Sequence, residues 1–230
     1  MPTINDEEFG AITVRRSARA TQVRLRVAPD GTLRASMPVY APLFLLKRLV
    51  KSSRTQLRSM IEQAQPLTHY TDGQQIGKSH TLLVRRGGMK VVATRSKQHI
   101  LVTLPQGVGL SDPEVIRKIR DASIVALRVE AKSYLPKRLK YLAEQRGFRY
   151  TKVRFSHASS RWGSCSSTGT ISLNIALMKL PFELIDYVLI HELAHTVELN
   201  HSDKFWKLVE QGDPQYRQHR KLLKEEAPSI

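Results

Sequence analysis

The chain is short of several things, and each shortage excludes something. There is 1 cysteine in 230 residues, Cys165, so no disulfide can form within the chain. No apolar run approaches the ~18 residues of a helical membrane span, which excludes a transmembrane helix. Acid is scarce: 37 Lys and Arg face 20 Asp and Glu, a formal net charge of +17. Residues 1–10 carry Asp6, Glu7 and Glu8 and no apolar core, so no secretory signal is expected there. With a single thiol, this predicts a cytoplasmic protein. Neither an internal repeat nor a long low-complexity stretch is evident.

What is present suits a folded chain. Apolar residues make up 41%, enough for a packed core. At ~100–200 residues per domain, the length fits one large domain or two small ones. Residues 1–110 hold 17 basic and 6 acidic residues, and residues 111–230 hold 20 and 14. Such an excess attracts polyanions, so weak, non-specific nucleic acid binding is expected. The alternative is a merely solvated basic surface.

Val23, Leu25 and Val27 alternate with polar residues, Pro29-Asp30-Gly31 offers a turn, and Leu33, Ala35 and Met37 alternate again. That pattern predicts a hairpin, with Ile12 and Val14 in a strand before it. Leu46, Leu49, Val50, Leu57, Met60 and Ile61 keep helical spacing over 43–61. Lys47, Lys51, Arg54 and Arg58 then form a basic stripe on the opposite face. Strands are expected over 82–84, 89–93 and 100–104, and 105–110 reads as a boundary. Ser111-Asp112-Pro113-Glu114 opens a helix that runs towards Gly147, and Pro136 within it predicts a kink or two helices. Short strands follow near 153–155 and 170–175, then helices after Pro181 and Ser202. The fold class is α+β. A basic, β-rich domain with one helix spans 1–110, and a mostly helical domain with a small sheet spans 111–230.

The chemistry lies in His191-Glu192-Leu193-Ala194-His195, an HExxH motif within a predicted helix. Residues four apart share one helical face, so both imidazoles can reach one metal ion. Glu192 is turned about a third of a turn away and can act as base on a metal-bound water. With 8 His and 12 Glu, a chance HExxH has a probability of roughly 0.01–0.02. The surrounding Leu184, Val188, Leu193 and Ala194 are apolar, so a buried His pair would need partners. Glu198 and His201 are the candidates for a third ligand. Glu198 lies on nearly the same helical face. His201 requires the helix to end first, with Asn200 as a left-handed stop and Ser202 capping the next helix. His201 is the preferred ligand. Glu198 is then left to orient a ligand histidine.

The spacing from HExxH to His201 is similar to that of metzincins, but Glu198 replaces their glycine and the last methionine is Met178. Arg161-Trp162-Gly163-Ser164-Cys165, Gly169-Thr170-Ile171-Ser172-Leu173-Asn174, the HExxH segment, and Asn200-His201-Ser202 with Phe205-Trp206 fit another family better. They resemble the YgjP-like metallopeptidases of bacteria, HExxH zincins related to SprT-like proteases. Arg15 to Arg19 and the 29–31 turn resemble that family's N-terminal part. The resemblance implies a zinc metallopeptidase, a hydrolase with His191, His195 and His201 as Zn2+ ligands and Glu192 as catalytic base. Its substrate would be a protein or peptide. The SprT-like link suggests a second reading, a protease recruited by its basic surface to act on DNA-bound proteins. Thr170–Ile175 is expected to be the edge strand above the metal. Tyr216, His219 and Arg220 are candidate oxyanion stabilisers. Trp162, Trp206 and Cys165 are expected to be packing residues.

Overall fold

The computed structural model describes residues 3–28, 32–64, 69–228 and 230. They form two compact units, Met1–Thr68 and His69–Ile230. Both mix strands and helices, in the α+β class that the patterning predicts.

The first unit contains β1 (Thr3–Asp6), β2 (Gly10–Ser17), β3 (Arg24–Val27) and β4 (Leu33–Pro38). Their order in the sheet is β1-β2-β4-β3. The β2–β4 pair is parallel and the outer pairs are antiparallel. Period-two alternation buries Ile12, Val14, Leu33, Ala35 and Met37 on one face, in one core with Leu46, Val50 and Leu57. The predicted β3–β4 pairing is present, and its turn at 29–31 lies outside the described residues.

The helix predicted over 43–61 is instead two, α1 (Leu43–Ser52) and α2 (Arg54–Ala64). The break has a local cause. The Ser52 hydroxyl donates to the Leu49 carbonyl at 3.1 Å, and the Ser53 N–H is shared between Leu49 and Val50. Side-chain hydroxyls that compete for helix carbonyls bend helices in this way. The predicted basic stripe is broken as well. Arg54 lies 3.4 Å from Asp6 and from Glu8, and Arg58 also pairs with Glu8.

The second unit opens with β5 (Gln75–Ile76), β6 (His80–Arg86), β7 (Val92–Ser96) and β8 (His99–Leu104). Their order is β5-β6-β8-β7, again with a parallel central pair. This is the topology of the first sheet, and a helix follows each. The strands and following helix begin 66–72 residues after their counterparts. Matching Val14 with Val84 aligns both registers: Val14 pairs with Ala35, and Val84 with Val102. The chain therefore repeats a four-stranded sheet that no sequence repeat reveals.

The helix after the second sheet is α3 (Pro113–Arg146). Asp112 caps it by accepting from Glu114 N–H, and Gly147 ends it at φ 69°. It continues through Pro136 as one helix, not two. Its buried face shares one core with β6 and β8, so Pro105–Leu110 does not divide the compact units. On the same unit, Glu130 accepts from the Lys78 and Ser79 backbone N–H groups and lies 2.6 Å from His80 Nδ1. His80 is thus a satisfied core residue, as its lack of ligand spacing implies.

A second sheet in this unit comprises β9 (Lys152–Ser156), β10 (Gly163–Cys165) and β11 (Thr170–Asn174), in the order β10-β11-β9. The predicted edge strand, β11, is therefore central. It is enclosed by parallel pairing with β9 and antiparallel pairing with β10. A 3-10 turn over Ile175–Lys179 leads into α4 (Phe182–Ala194), followed by α5 (Asp203–Gly212) and α6 (Tyr216–Glu225). A forked ion pair, Arg138 Nε to Asp186 Oδ1 at 2.8 Å and Nη2 to Oδ2 at 2.5 Å, ties α3 to α4. No described helix is long and apolar enough to cross a membrane.

Candidate metal centre

Helix α4 is apolar on nearly every side, with Leu184, Ile185, Val188, Leu189, Ile190 and Leu193 buried. A helix buried all round brings whatever polar residues it carries into the interior. In the last turns of α4 those residues are His191 and Glu192, whereas Glu183 is exposed and Asp186 is the partner of Arg138. The helix ends at Ala194, with His195 as its C-cap. Thr196 Oγ1 donates back to the Leu193 carbonyl at 2.7 Å, and Glu198 N–H to the Ala194 carbonyl at 2.9 Å. The chain then reverses, and Ser202 caps α5 by accepting from Phe205 N–H. Asn200 is not left-handed, contrary to expectation: among the described residues the non-glycine residue at positive φ is Lys97. The stop lies earlier, at the Thr196 turn.

The reversal returns His201 to His191, with the two Nε2 atoms 3.2 Å apart. His191, His195 and His201 offer ligand atoms all within 4.8 Å of one another. Two nitrogens bound tetrahedrally at ~2.0–2.1 Å would lie about 3.3 Å apart, so this spacing fits a shared metal ion. His195 Nδ1 lies 3.1 Å from the Glu198 carbonyl oxygen. Glu198 thus orients a histidine through its backbone, and its carboxylate is not in the metal-holding group.

Burial, and then the neighbouring His195, His201 and Arg220, push His191 down to about 3. Burial also lowers His195. Both imidazoles are therefore neutral at physiological pH, the form that ligates metals. Glu192 is pushed up to about 8 by burial, opposed by Arg161. Glu192 Oε2 and His191 Nδ1 are buried without a hydrogen-bond partner. A buried carboxyl with an unused oxygen is costly unless a function retains it.

The sequence profile of the YgjP-like metallopeptidase domain matches residues 21–226. The chain belongs to the YgjP-like metallopeptidase family. It is accordingly a peptidase, a hydrolase that works with a metal ion. Among solved structures, the crystal structure of the metallopeptidase zymogen of Pyrococcus abyssi abylysin is similar at 29% identity. That match covers 38% of this chain and 90% of the other, with a TM-score of 0.36. No curated protein matches.

The motifs of the YgjP-like chain surround the histidines. Phe205, fully buried, is a common floor: its ring centroid lies 4.9, 4.4 and 4.8 Å from those of His191, His195 and His201. Trp206 stacks on His201 at 5.6 Å, and its ring also stacks on Tyr216 at 5.6 Å. It is a packing residue, and what it packs is a candidate ligand.

Gly163 has a role that the sequence reading missed. A Cβ there would sit 2.5 Å from Glu192 Oε1 and 2.8 Å from its Cδ, so strand β10 passes directly against the carboxyl group. Only glycine leaves that space. Tyr187, one helical turn before His191, was also missed. It lines a cavity of about 200 Å³ with Trp162, Gly163, His191 and Glu192. Burial pushes its phenol to about 12, so it keeps its proton.

The oxyanion candidates each have a packing or orienting contact. His219 Nδ1 lies 2.7 Å from Asp213 Oδ2, Tyr216 stacks on Trp206, and Arg220 covers the Trp206 ring at 4.6 Å. Asn174 is buried and structural: its Nδ2 donates to the Ala158 and Arg161 carbonyls, and its Oδ1 accepts from Ala176 N–H. Burial and the nearby Glu192 raise the Cys165 thiol, which makes it unreactive.

Gly163→Ala should displace the Glu192 carboxyl while leaving the three histidines in place. The expected result is full metal content with peptidase turnover at least tenfold lower. Metal analysis beside kcat on a common peptide substrate checks it, and wild-type kcat would refute the close approach.

Metal-free stability should also depend on pH in a defined way. His191 is depressed from 6.5 to about 3, so its contribution grows as pH rises through that window. Glu192 is raised from 4.5 to about 8, so its contribution is lost as pH rises from the lower value to the higher. Where the windows overlap the two oppose each other. Between 6.5 and 8 the loss belongs to Glu192 alone. Thermal melts of metal-free protein should show a Tm decline over that interval that Glu192→Gln abolishes. An equal decline in the variant would assign it to another group.

Proposed function

We propose that the chain is a zinc-dependent peptidase in which His191, His195 and His201 hold Zn2+ and Glu192 is the general base on peptide bonds. The observation that carries this reading is the 3.2 Å approach of His201 Nε2 to His191 Nε2 across a chain reversal, with the Glu192 carboxyl buried beside them. The donor set supports zinc: neutral imidazoles suit it, and three protein ligands leave the open position of a catalytic site. A bound zinc ion would acidify water and polarise the scissile carbonyl.

The remaining work falls to the chain. A cation beside Glu192 reverses the effect of burial and holds the carboxyl ionised at neutral pH. Glu192 then accepts a proton at its carboxylate and passes it to the departing amine nitrogen. Gly163 leaves the carboxyl room, and Phe205 and Trp206 hold the imidazoles against rotation. The outer side of β10 is the open edge of its sheet, suited to pairing with an extended peptide. The single, half-buried thiol fits a reducing, cytoplasmic setting.

Two variants test the assignment. His201→Ala should lose zinc on dialysis against a weak chelator, whereas Glu198→Ala should keep it. The reverse pattern would make Glu198 the third ligand. Glu192→Gln should retain one zinc per chain and lose hydrolysis by a factor of about 10² or more. Wild-type turnover in this variant would remove Glu192 from the mechanism.

A further inference from the structure

We propose that the outward face of the first sheet is a binding site for the phosphate backbone of a double-stranded nucleic acid. The face bears a groove of about 510 Å³ whose lining includes Arg15, Arg19, Arg24, Arg26 and Arg34. All five side chains are exposed. The described residues of the lining include no carboxylate and no aromatic ring.

The sheet register places these arginines in an array. Arg26 on β3 lies directly opposite Arg34 on β4, and Thr13 on β2 flanks Arg34 on its other side. In the next row Arg24 and Arg15 flank Ser36. Rows two residues apart are about 6.6 Å apart along the strands, and neighbouring strands lie about 4.8 Å apart. The array concentrates positive charge on one face, and a polyanion laid along it meets that charge with its own. Guanidinium forks bind phosphate oxygens bidentately, and a duplex presents about one charge per 1.7 Å of axis.

The second sheet is an internal control. In matched register Arg15 corresponds to Arg85, but Arg24, Arg26 and Arg34 correspond to Val92, Thr94 and Leu101. The same topology therefore forms without the arginine array. The array is a property of the first copy, not a requirement of the scaffold. On the unit's helices Arg54 and Arg58 are engaged by Asp6 and Glu8, which leaves Lys47, Arg48 and Lys51 of α1 as the competing basic cluster. A lining without aromatic rings provides no stacking platform for unpaired bases, which favours a duplex over a single strand. Phosphate contacts carry no sequence information, so binding through them is independent of sequence.

Fluorescence anisotropy with the full chain and short random-sequence DNA and RNA duplexes tests this. Micromolar binding is expected, falling roughly 10²–10³-fold between about 50 and about 200 mM salt for about five phosphate contacts. The Arg15→Ser/Arg24→Ser/Arg26→Ser triple variant should bind at least tenfold more weakly and lose about 2.7 from the log–log salt slope. Its far-ultraviolet circular dichroism should match wild type, since all three side chains are exposed. Lys47→Ser/Arg48→Ser/Lys51→Ser removes equal charge from α1 and should bind within threefold of wild type. In wild type, duplex should protect Arg24 and Arg26 from a dicarbonyl reagent, a readout that needs no variant. DNA and RNA arms that bind alike identify the shared backbone as the ligand, and a preference for one names the source. Equal losses in both triple variants, absence of protection, or tighter binding of single strands would overturn the proposal. Equally effective competition by polyglutamate of matched charge would replace the occupant with an acidic protein.

Discussion

The candidate site depends on where helix α4 stops. HExxH on a helix aligns two imidazoles, but a third histidine six residues later cannot join them while the helix continues. Six helical residues advance about 9 Å and turn about 600°, which would carry His201 up the axis and around to another face. The Thr196 hydroxyl and the Glu198 N–H take the carbonyls of Leu193 and Ala194, and the chain leaves the axis. The Glu198 carbonyl then holds His195 from outside the motif. The hydrogen bonds that end the helix therefore also build the ligand geometry.

Packing keeps that geometry fixed. One fully buried ring, Phe205, touches all three imidazoles, and Trp206 is stacked between His201 and Tyr216. Imidazoles packed on these rings resist rotation away from a shared point. Glu192 is controlled by a different contact, the bare backbone of Gly163, which walls the carboxyl without adding a hydrogen bond to it. A carboxyl left without such partners stays strongly sensitive to the charge of its surroundings.

The repeated sheet shows one scaffold carrying two different outward faces. In both copies the inward positions stay apolar: Ile12, Val14, Leu33, Ala35 and Met37 match Leu82, Val84, Ile100, Val102 and Leu104. The outward positions diverge from arginine to valine, threonine and leucine. Inward residues answer to packing, which is the same in each copy. Outward residues answer to whatever each sheet faces.

The HExxH segment and the spacing to His201 were legible in the sequence, because a helix places residues by counting and a metal demands particular donors. The family motifs around Arg161–Cys165 and the period-two strands were legible for the same local reason. Local rules failed where the hydroxyls of Ser52 and Thr196 decided helix ends, where Pro136 sat in a helix held by its core, and where 105–110 looked like a boundary. They also hid the duplicated sheet, since alternation survives with few identities beyond Val14-Arg15-Arg16 and Val84-Arg85-Arg86. The roles of Gly163, Tyr187 and Phe205 come from contacts between segments distant in the chain. Sequence alone determined the candidate donor residues and the α+β class, because both follow from residue type and short-range spacing. Tertiary structure alone decided which strand lies at the edge and which glycine borders Glu192. It also decided which arginines face outward together, because each of these is a statement about neighbours in space.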